Sequence, residues 1–139
     1  MFPVAPFIAL ASVIFSGTIA QDQSNCTRTY TVRLGDTCDD ISAAQNVSTY
    51  QLATVNSDKI NAGCTNLALG EPLCLGLVGE DCTTTYVVQS GDFCAAIADA
   101  AGIDLSTLLA NNPNVGSDCT LLYPGEVVCT ADQVFVTSS

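Results

Sequence analysis

The 139 residues contain no histidine, three basic side chains (Arg28, Arg33 and Lys59) and, past the first twenty residues, no long apolar run. Each shortage removes a class of function. Without histidine there is no Ser-His-Asp or Cys-His nucleophile and no histidine-ligated zinc. No C-x-x-C pair occurs either, which argues against a cysteine-only metal site. Fourteen Asp and Glu against three Lys and Arg give a formal net charge of −11. A nucleic-acid backbone or an anionic membrane would repel such a surface, which leaves neutral ligands. No motif asks for a cofactor.

What the chain does have is cysteine, and a repeat. Tyr86-Val87-Val88-Gln89-Ser90-Gly91-Asp92-Phe93-Cys94 has an imperfect copy 56 residues upstream, Tyr30-Thr31-Val32-Arg33-Leu34-Gly35-Asp36-Thr37-Cys38. The eight cysteines divide the same way, into Cys26, Cys38, Cys64 and Cys74, then Cys82, Cys94, Cys119 and Cys129. Two very small modules follow, each too small to bury much apolar surface and each needing staples. An even, repeated cysteine set argues for disulfides made in an oxidising compartment. Pairing within each set is expected, but four cysteines allow three pairings and spacing does not choose among them.

The N-terminus agrees with that compartment. Residues 4–15 are almost wholly apolar and Thr18-Ile19-Ala20 supplies small residues, so residues 1–20 read as a secretory signal, although no Lys or Arg precedes the apolar stretch. Pro6, Ser12, Ser16 and Gly17 interrupt the run, which disfavours a membrane anchor. Asn25-Cys26-Thr27 and Asn46-Val47-Ser48 are sequons, making Asn25 and Asn46 candidate N-glycosylation sites.

Along each copy the period changes from two to that of a helix. Tyr30 and Val32 alternate with polar neighbours as in a half-buried strand. Gly35 makes a turn. Asp36, like Asp92, is expected to cap a helix that ends near Asn46, or Gly102, in the left-handed conformation. Ser48 with Gln51 reads as a capping box opening a second helix, with Asp104 and Thr107 a weaker equivalent. The buried face of that helix is expected from Leu52 and Val55, or from Leu105, Leu108 and Leu109, and its end near Asn56 or Asn112. Leu73-Cys74-Leu75 and Val127-Val128-Cys129 read as closing strands. The predicted class is α+β: two tandem βααβ modules, strands antiparallel, helices on one face. The expected divisions are residues 29–75, a linker at 76–84, residues 85–130, and a frayed tail at 131–139.

Paired carboxylates are the remaining route to catalysis. Asp36, Asp39 and Asp40 cluster in the first copy, but Ala95 and Ala96 replace the last two in the second, so capping is the better reading of the shared Asp and no enzyme activity is expected.

The series Tyr-x-Val-x-x-Gly-Asp-x-Cys, Ile41 or Ile97, Leu52 or Leu108, Asn56 or Asn112, then Leu-x-x-Gly and a terminal Leu-Cys or Val-Cys, resembles the cysteine-bearing fungal form of the lysin motif, LysM. The resemblance covers residues 29–75 and 85–130. A secretory signal followed by two such modules is similar to fungal LysM effectors, which implies an extracellular protein that binds chitin oligomers and hides them from host receptors, or shields the hyphal wall from chitinases. It also implies two shallow grooves for N-acetylglucosamine: Gly35, Asp36 and Thr37 facing Asn56, Ser57, Asp58, Lys59 and Ile60, and Gly91, Asp92 and Phe93 facing Asn112, Pro113, Asn114 and Val115. In these grooves turn backbone would bond acetamide and hydroxyl groups, and Ile60 or Val115 would cover the acetyl methyl. Phe93 stands where the family usually has Thr, so the two modules are expected to differ. Ligand-induced association into a homodimer is expected. Peptidoglycan as ligand, a role as accessory carbohydrate-binding partner of a chitinase or other wall hydrolase, and a purely structural wall protein are the rival readings.

Overall fold

The computed structural model describes residues 25–135 and Pro3; apart from Pro3, the expected signal segment lies outside the described residues. The first module comprises β1 (Cys26–Thr31), α1 (Cys38–Gln45), α2 (Thr49–Val55) and β2 (Pro72–Leu77). The second comprises β3 (Thr85–Val87), α3 (Cys94–Ala101), α4 (Leu105–Asn111), a single 3-10 turn at Pro113–Val115 and β4 (Val127–Cys129). Each pair of strands is antiparallel, with Tyr30 opposite Leu73 in one sheet and Tyr86 opposite Val128 in the other. The expected α+β, βααβ order is observed in both modules.

The repeated Tyr and Asp are joined to each other. The Tyr30 hydroxyl donates to Asp36 Oδ2 at 2.7 Å, and the same oxygen accepts the Arg33 backbone N–H at 2.8 Å. Tyr86, Asp92 and Gln89 repeat the arrangement at 2.7 and 2.8 Å. Gly35 and Gly91 occupy the intervening left-handed position, with φ of 86° and 88°. Here the expectation from sequence is corrected: Asp36 and Asp92 close a turn and do not cap a helix. The caps are Thr37, whose hydroxyl accepts from the Asp40 N–H, and Phe93, which makes no side-chain cap bond. An aspartate just ahead of a helix serves either purpose; the tyrosine six residues earlier decides it. The tyrosine bond holds both carboxyls below the usual range, helped by the backbone bond.

Asn46 and Gly102 end their helices in the left-handed conformation, with φ of 52° and 70°. Ser48 caps α2 by accepting the Gln51 N–H at 3.0 Å. The other half of the expected box is absent, because the Gln51 side chain is taken up by Leu75 O, Asp81 and the Cys82 N–H at 2.8, 2.9 and 3.0 Å. Asp104 makes no side-chain cap bond.

The disulfides are Cys26–Cys74 and Cys38–Cys64, then Cys82–Cys129 and Cys94–Cys119. In each module the outer bridge encloses the inner one in sequence, and each contributes about 2–4 kcal/mol. Between them lie Val32, Ile41, Val47, Leu52, Ile60, Leu73 and Leu75 in one core, and Val88, Ile97, Ala98, Leu108, Val115 and Val128 in the other. Burying each of the larger side chains stabilises by roughly 1.5–3 kcal/mol. Two expected core positions are instead open: Leu105 is 41% exposed at the start of α4, and Tyr86, 37% exposed, leans outward to reach Asp92.

The segment expected to be a linker belongs largely to the first module. β2 continues to Leu77, Glu80 bridges back to Leu77, and the Asp81 carboxylate takes Arg28 Nε and Nη2 at 3.0 and 2.8 Å together with the Thr27 hydroxyl at 2.7 Å. Burial raises the Asp81 carboxyl, but these bonds, the Gln51 bond and the Arg28 charge outweigh it and hold the carboxyl low. Arg28 Nη1 also ties the Gln45 carbonyl at 2.6 Å, and β1 starts ahead of the boundary expected at Thr29 because Cys26 and Arg28 pair with Leu77 and Gly76 of the extended β2. The tail is likewise not frayed as far as it is described. Asn111 donates to Gln133 O and accepts the Phe135 N–H at 2.9 and 2.8 Å, laying Ala131 and Phe135 on the Cys82–Cys129 bridge.

The modules touch through a chain of bonds. The Val127 N–H donates to the Thr49 hydroxyl at 3.0 Å, Thr49 donates to Asp39 at 2.9 Å, and the Tyr123 hydroxyl reaches both Asp39 oxygens at 3.0 Å. Burial, with the Asp39 charge and bond behind it, pushes the Tyr123 phenol well above its ordinary value.

Candidate functional site

The turn locked by Tyr30 and Asp36 delivers Thr37 to the edge of a cavity of about 330 Å³, whose other walls are Cys38, Asp39, Thr49, Ala53, Ala62, Gly63 and Cys64, with Tyr123 reaching in from the second module. The turn locked by Tyr86 and Asp92 delivers Phe93 to a cavity of about 280 Å³ lined by Cys94, Ala95, Leu105, Leu109, Ser117, Asp118 and Cys119. Aligned through the cysteines, these are one site occurring twice. Thr37 corresponds to Phe93, Asp39 to Ala95, Thr49 to Leu105, Ala53 to Leu109, Ala62 to Ser117 and Gly63 to Asp118, and the inner disulfide forms the floor in both. A larger cavity of about 440 Å³ lies on the other side of α3, lined by Tyr86, Asp92, Ala96, Ala100 and Thr130 among others.

The two copies differ in chemistry. The first offers a carboxylate and three hydroxyls, from Asp39, Thr37, Thr49 and Tyr123. The second offers Phe93, 61% exposed, with Leu105 and Leu109, and keeps its polar groups, Ser117 and Asp118, on the far wall. Asp118 accepts the Thr120 hydroxyl at 2.9 Å. An exposed ring beside a few hydrogen-bonding groups suits a ligand with an apolar face and a polar rim.

Of the residues expected from sequence, the structure brings Thr37 and Phe93 to these cavities and leaves Gly35 and Gly91 exposed in the turns beside them. Ser57, Asp58 and Pro113 are exposed, and Lys59 donates to Pro72 O at 2.9 Å. Asn56, Ile60, Asn112 and Val115 have buried side chains. Asn112 Nδ2 donates to Leu108 O and Cys129 O, and its Oδ1 accepts the Cys129 N–H, all at 2.8 Å; Asn56 makes the same set to Leu52 and Cys74. Ile60 and Val115, expected over an acetyl methyl, have their side chains in the cores. Asn114 is half-buried and bonds Glu126.

A family model described as LysM domain matches residues 30–76 and 86–130. The chain belongs to the LysM family. Its LysM modules are 34% identical to the secreted LysM effector ldpA of Aspergillus fumigatus over 136 residues, covering 76% of this chain and 36% of that protein. They are 32% identical to the secreted LysM effector LysM2 of Penicillium expansum, covering 76% and 33%, and 30% identical to the secreted LysM effector Blys8 of Beauveria bassiana, covering 76% and 34%. The chain thus spans about a third of the length of these curated relatives. Among solved structures, the spore cortex-lytic enzyme SleL of Bacillus megaterium aligns at 20% identity with a TM-score of 0.38, covering 73% of this chain and 21% of that one.

Three features of the LysM sites were not anticipated from sequence: the wall formed by Ala62 and Gly63 or Ser117 and Asp118, the α2 and α4 positions Thr49 and Leu105, and Tyr123. Only the last left a trace. The module alignment places Ala68 where the second copy has Tyr123, an aromatic gained on one side alone. Its partner Asp39 lies 84 residues away, and no local pattern links them.

Proposed function

We propose that this chain is a secreted, non-catalytic LysM protein that binds chitin oligosaccharides. The observation that carries the reading is the recurrence of one groove in both modules, beside the turn that the Tyr-Asp lock holds open, with an unpaired aromatic ring at the rim of the second. A Phe93 ring exposed to this degree suits the apolar face of a pyranose, while Ser117, Asp118 and the Gly91 turn offer partners for acetamide and hydroxyl groups. The strongly acidic surface disfavours anionic bacterial walls and favours a neutral polymer. The relatives named secreted effectors, the eight paired cysteines and the fact that no helix among the described residues is long and apolar enough to cross a membrane support an extracellular setting. In that setting the role is to mask chitin fragments or the hyphal wall.

Calorimetry with chitohexaose tests the proposal. Saturable binding is expected, and Phe93→Ala should weaken it by about 0.5–1.5 kcal/mol, the usual worth of a ring packed on a ring-shaped partner. Absence of heat together with no retention on insoluble chitin would refute it. A long oligomer can enter grooves on two molecules at once, so sedimentation should show ligand-dependent dimers; a monomer at saturating chitohexaose would count against that.

A further inference from the structure

Glu126 immediately precedes β4 and is 1% exposed. Its main chain is fixed on both sides, the N–H donating to Tyr123 O at 3.2 Å and the carbonyl accepting the Val88 N–H at 2.8 Å. Oε2 accepts Nδ2 of Asn114 at 2.6 Å. The remaining oxygens of this pair, Glu126 Oε1 and Asn114 Oδ1, are both buried and both without a hydrogen-bond partner. Two acceptors left bare in one residue pair share one remedy. A carboxylate can only accept, so it leaves the amide oxygen with nothing to bond; a carboxylic acid has an O–H to give. A proton on Oε1 would donate to Oδ1 and close a second bond alongside the first, removing both unsatisfied atoms at once.

The surroundings favour that proton. α1 presents Asp39, the loop before β4 presents Tyr123, the 3-10 turn presents Asn114, and Val88, just past β3, contributes its main chain; no cation is among them. Burial pushes the Glu126 carboxyl up to about 7, the Asp39 charge adds to it, and the Tyr123 backbone N–H and the Asn114 amide pull the other way. The first module lacks the device. Its equivalent residues are Glu71 and Lys59, and Lys59 turns to Pro72 O.

We propose that Glu126 is a positioning residue for the second groove: as a neutral acid it clasps the Asn114 amide through two hydrogen bonds and fixes the 3-10 turn at Pro113–Val115, which leads directly into the Ser117 and Asp118 wall, and losing its proton to solvent opens one of them and loosens that wall. The ligand part rests on the chitin reading above; the clasp itself does not. Two measurements separate them. Carbon-detected titration of the unliganded protein should show the Glu126 carboxyl titrating near 7, with the Asn114 side-chain amide resonances moving in the same step. Chitohexaose binding, followed on Phe93 resonances, should weaken by about 2- to 10-fold as pH rises through that step and then level off, the change expected when one of the two bonds holding the turn is lost. Glu126→Gln supplies a non-titrating N–H in place of the O–H, so it should hold its affinity level over the same range. A Glu126 carboxyl titrating in the ordinary range, or a Glu126→Gln protein that keeps the wild-type pH profile, overturns the clasp. Failure to bind chitohexaose at any pH overturns the ligand assignment and the ligand half of this proposal, and the titration still decides whether the clasp exists.

Discussion

Asn112→Ala is expected to be among the most damaging single substitutions in the second module, by an amount the geometry sets. The side chain holds three bonds of 2.8 Å: to Leu108 O, to Cys129 O and from the Cys129 N–H. Leu108 O keeps a second partner in the Asn112 backbone N–H at 3.1 Å. Cys129, 0% exposed, does not, and truncation strands both its N–H and its C=O inside the protein. Each unsatisfied buried backbone group costs roughly 1–3 kcal/mol, so the expected loss is about 3–4 kcal/mol. Small domains have about 5–15 kcal/mol to lose. The assay is urea unfolding with disulfides intact, read by far-ultraviolet circular dichroism and by one resolved resonance per module. Asn56→Ala repeats the experiment in the first module, where Cys74 takes the place of Cys129. A loss below about 1 kcal/mol in either would refute the reasoning, because a single ordinary hydrogen bond would then account for it. Chitin affinity adds a second criterion: with the side chain committed inward, binding by Asn112→Ala should fall only in proportion to the unfolded fraction. A specific affinity loss in fully folded protein would return Asn112 to the groove.

Gly76→Ala should unseat the junction, since a Cβ there would run into the Asp81 carboxylate; the loss of the Arg28 pair should show as a changed Asp81 titration and lower stability, and an unchanged melting curve would count against it. Ionised Glu126 is penalised by folding, so stability should be greatest in acid and decline as pH rises from about 4.5 to about 7 before levelling, by on the order of 3 kcal/mol across that range, and Glu126→Gln should abolish the decline. Asp36, Asp81 and Asp92 act with the opposite sign: their lowered carboxyls support folding at neutral pH and withdraw that support only below the ordinary aspartate range, so a urea midpoint that keeps rising down to pH 2 would contradict them. Tyr123→Phe removes the bond to Asp39 with a stability change under about 1 kcal/mol, and it should alter chitohexaose binding at Thr37 resonances while leaving Phe93 resonances alone; equal effects at both would refute the asymmetry.

Features that depend on one residue's conformational preference were legible in the sequence. Asn46 and Gly102 mark helix ends because few residues accept positive φ, and Gly35 and Gly91 mark turns for the same reason. The αβ order followed from periodicity, which is local. What failed was choice among partners. Asp36 had a helix ahead and a tyrosine behind, and Gln51 had its own cap or a strand edge 24 residues on; composition offers both and packing selects one. Leu105 has the spacing of a core residue, yet the groove claims its side of α4. The disulfide pairing, the Tyr123 contact and the orphaned oxygens of Glu126 and Asn114 arise only when distant segments meet. Thr37 and Phe93 are the exceptions among the expected site residues, both standing at groove edges, and Phe93 was flagged by the disagreement of the two copies.

The nested arrangement of the bridges decides what a protease can accomplish. Any single cut between Cys26 and Cys74, or between Cys82 and Cys129, leaves its two fragments joined by sulfur, and within the inner loops by two such links. Residues 75–81 are the one stretch between the two sets that no bridge spans, and within it Leu75 and Gly76 are buried in β2 while Val78 and Gly79 stand in the open. Secreted hydrolases would therefore nick this protein without dismantling it, and the cleavage that does part the modules is confined to a turn a few residues long, still bridged by Gln51 and by Tyr123 on Asp39.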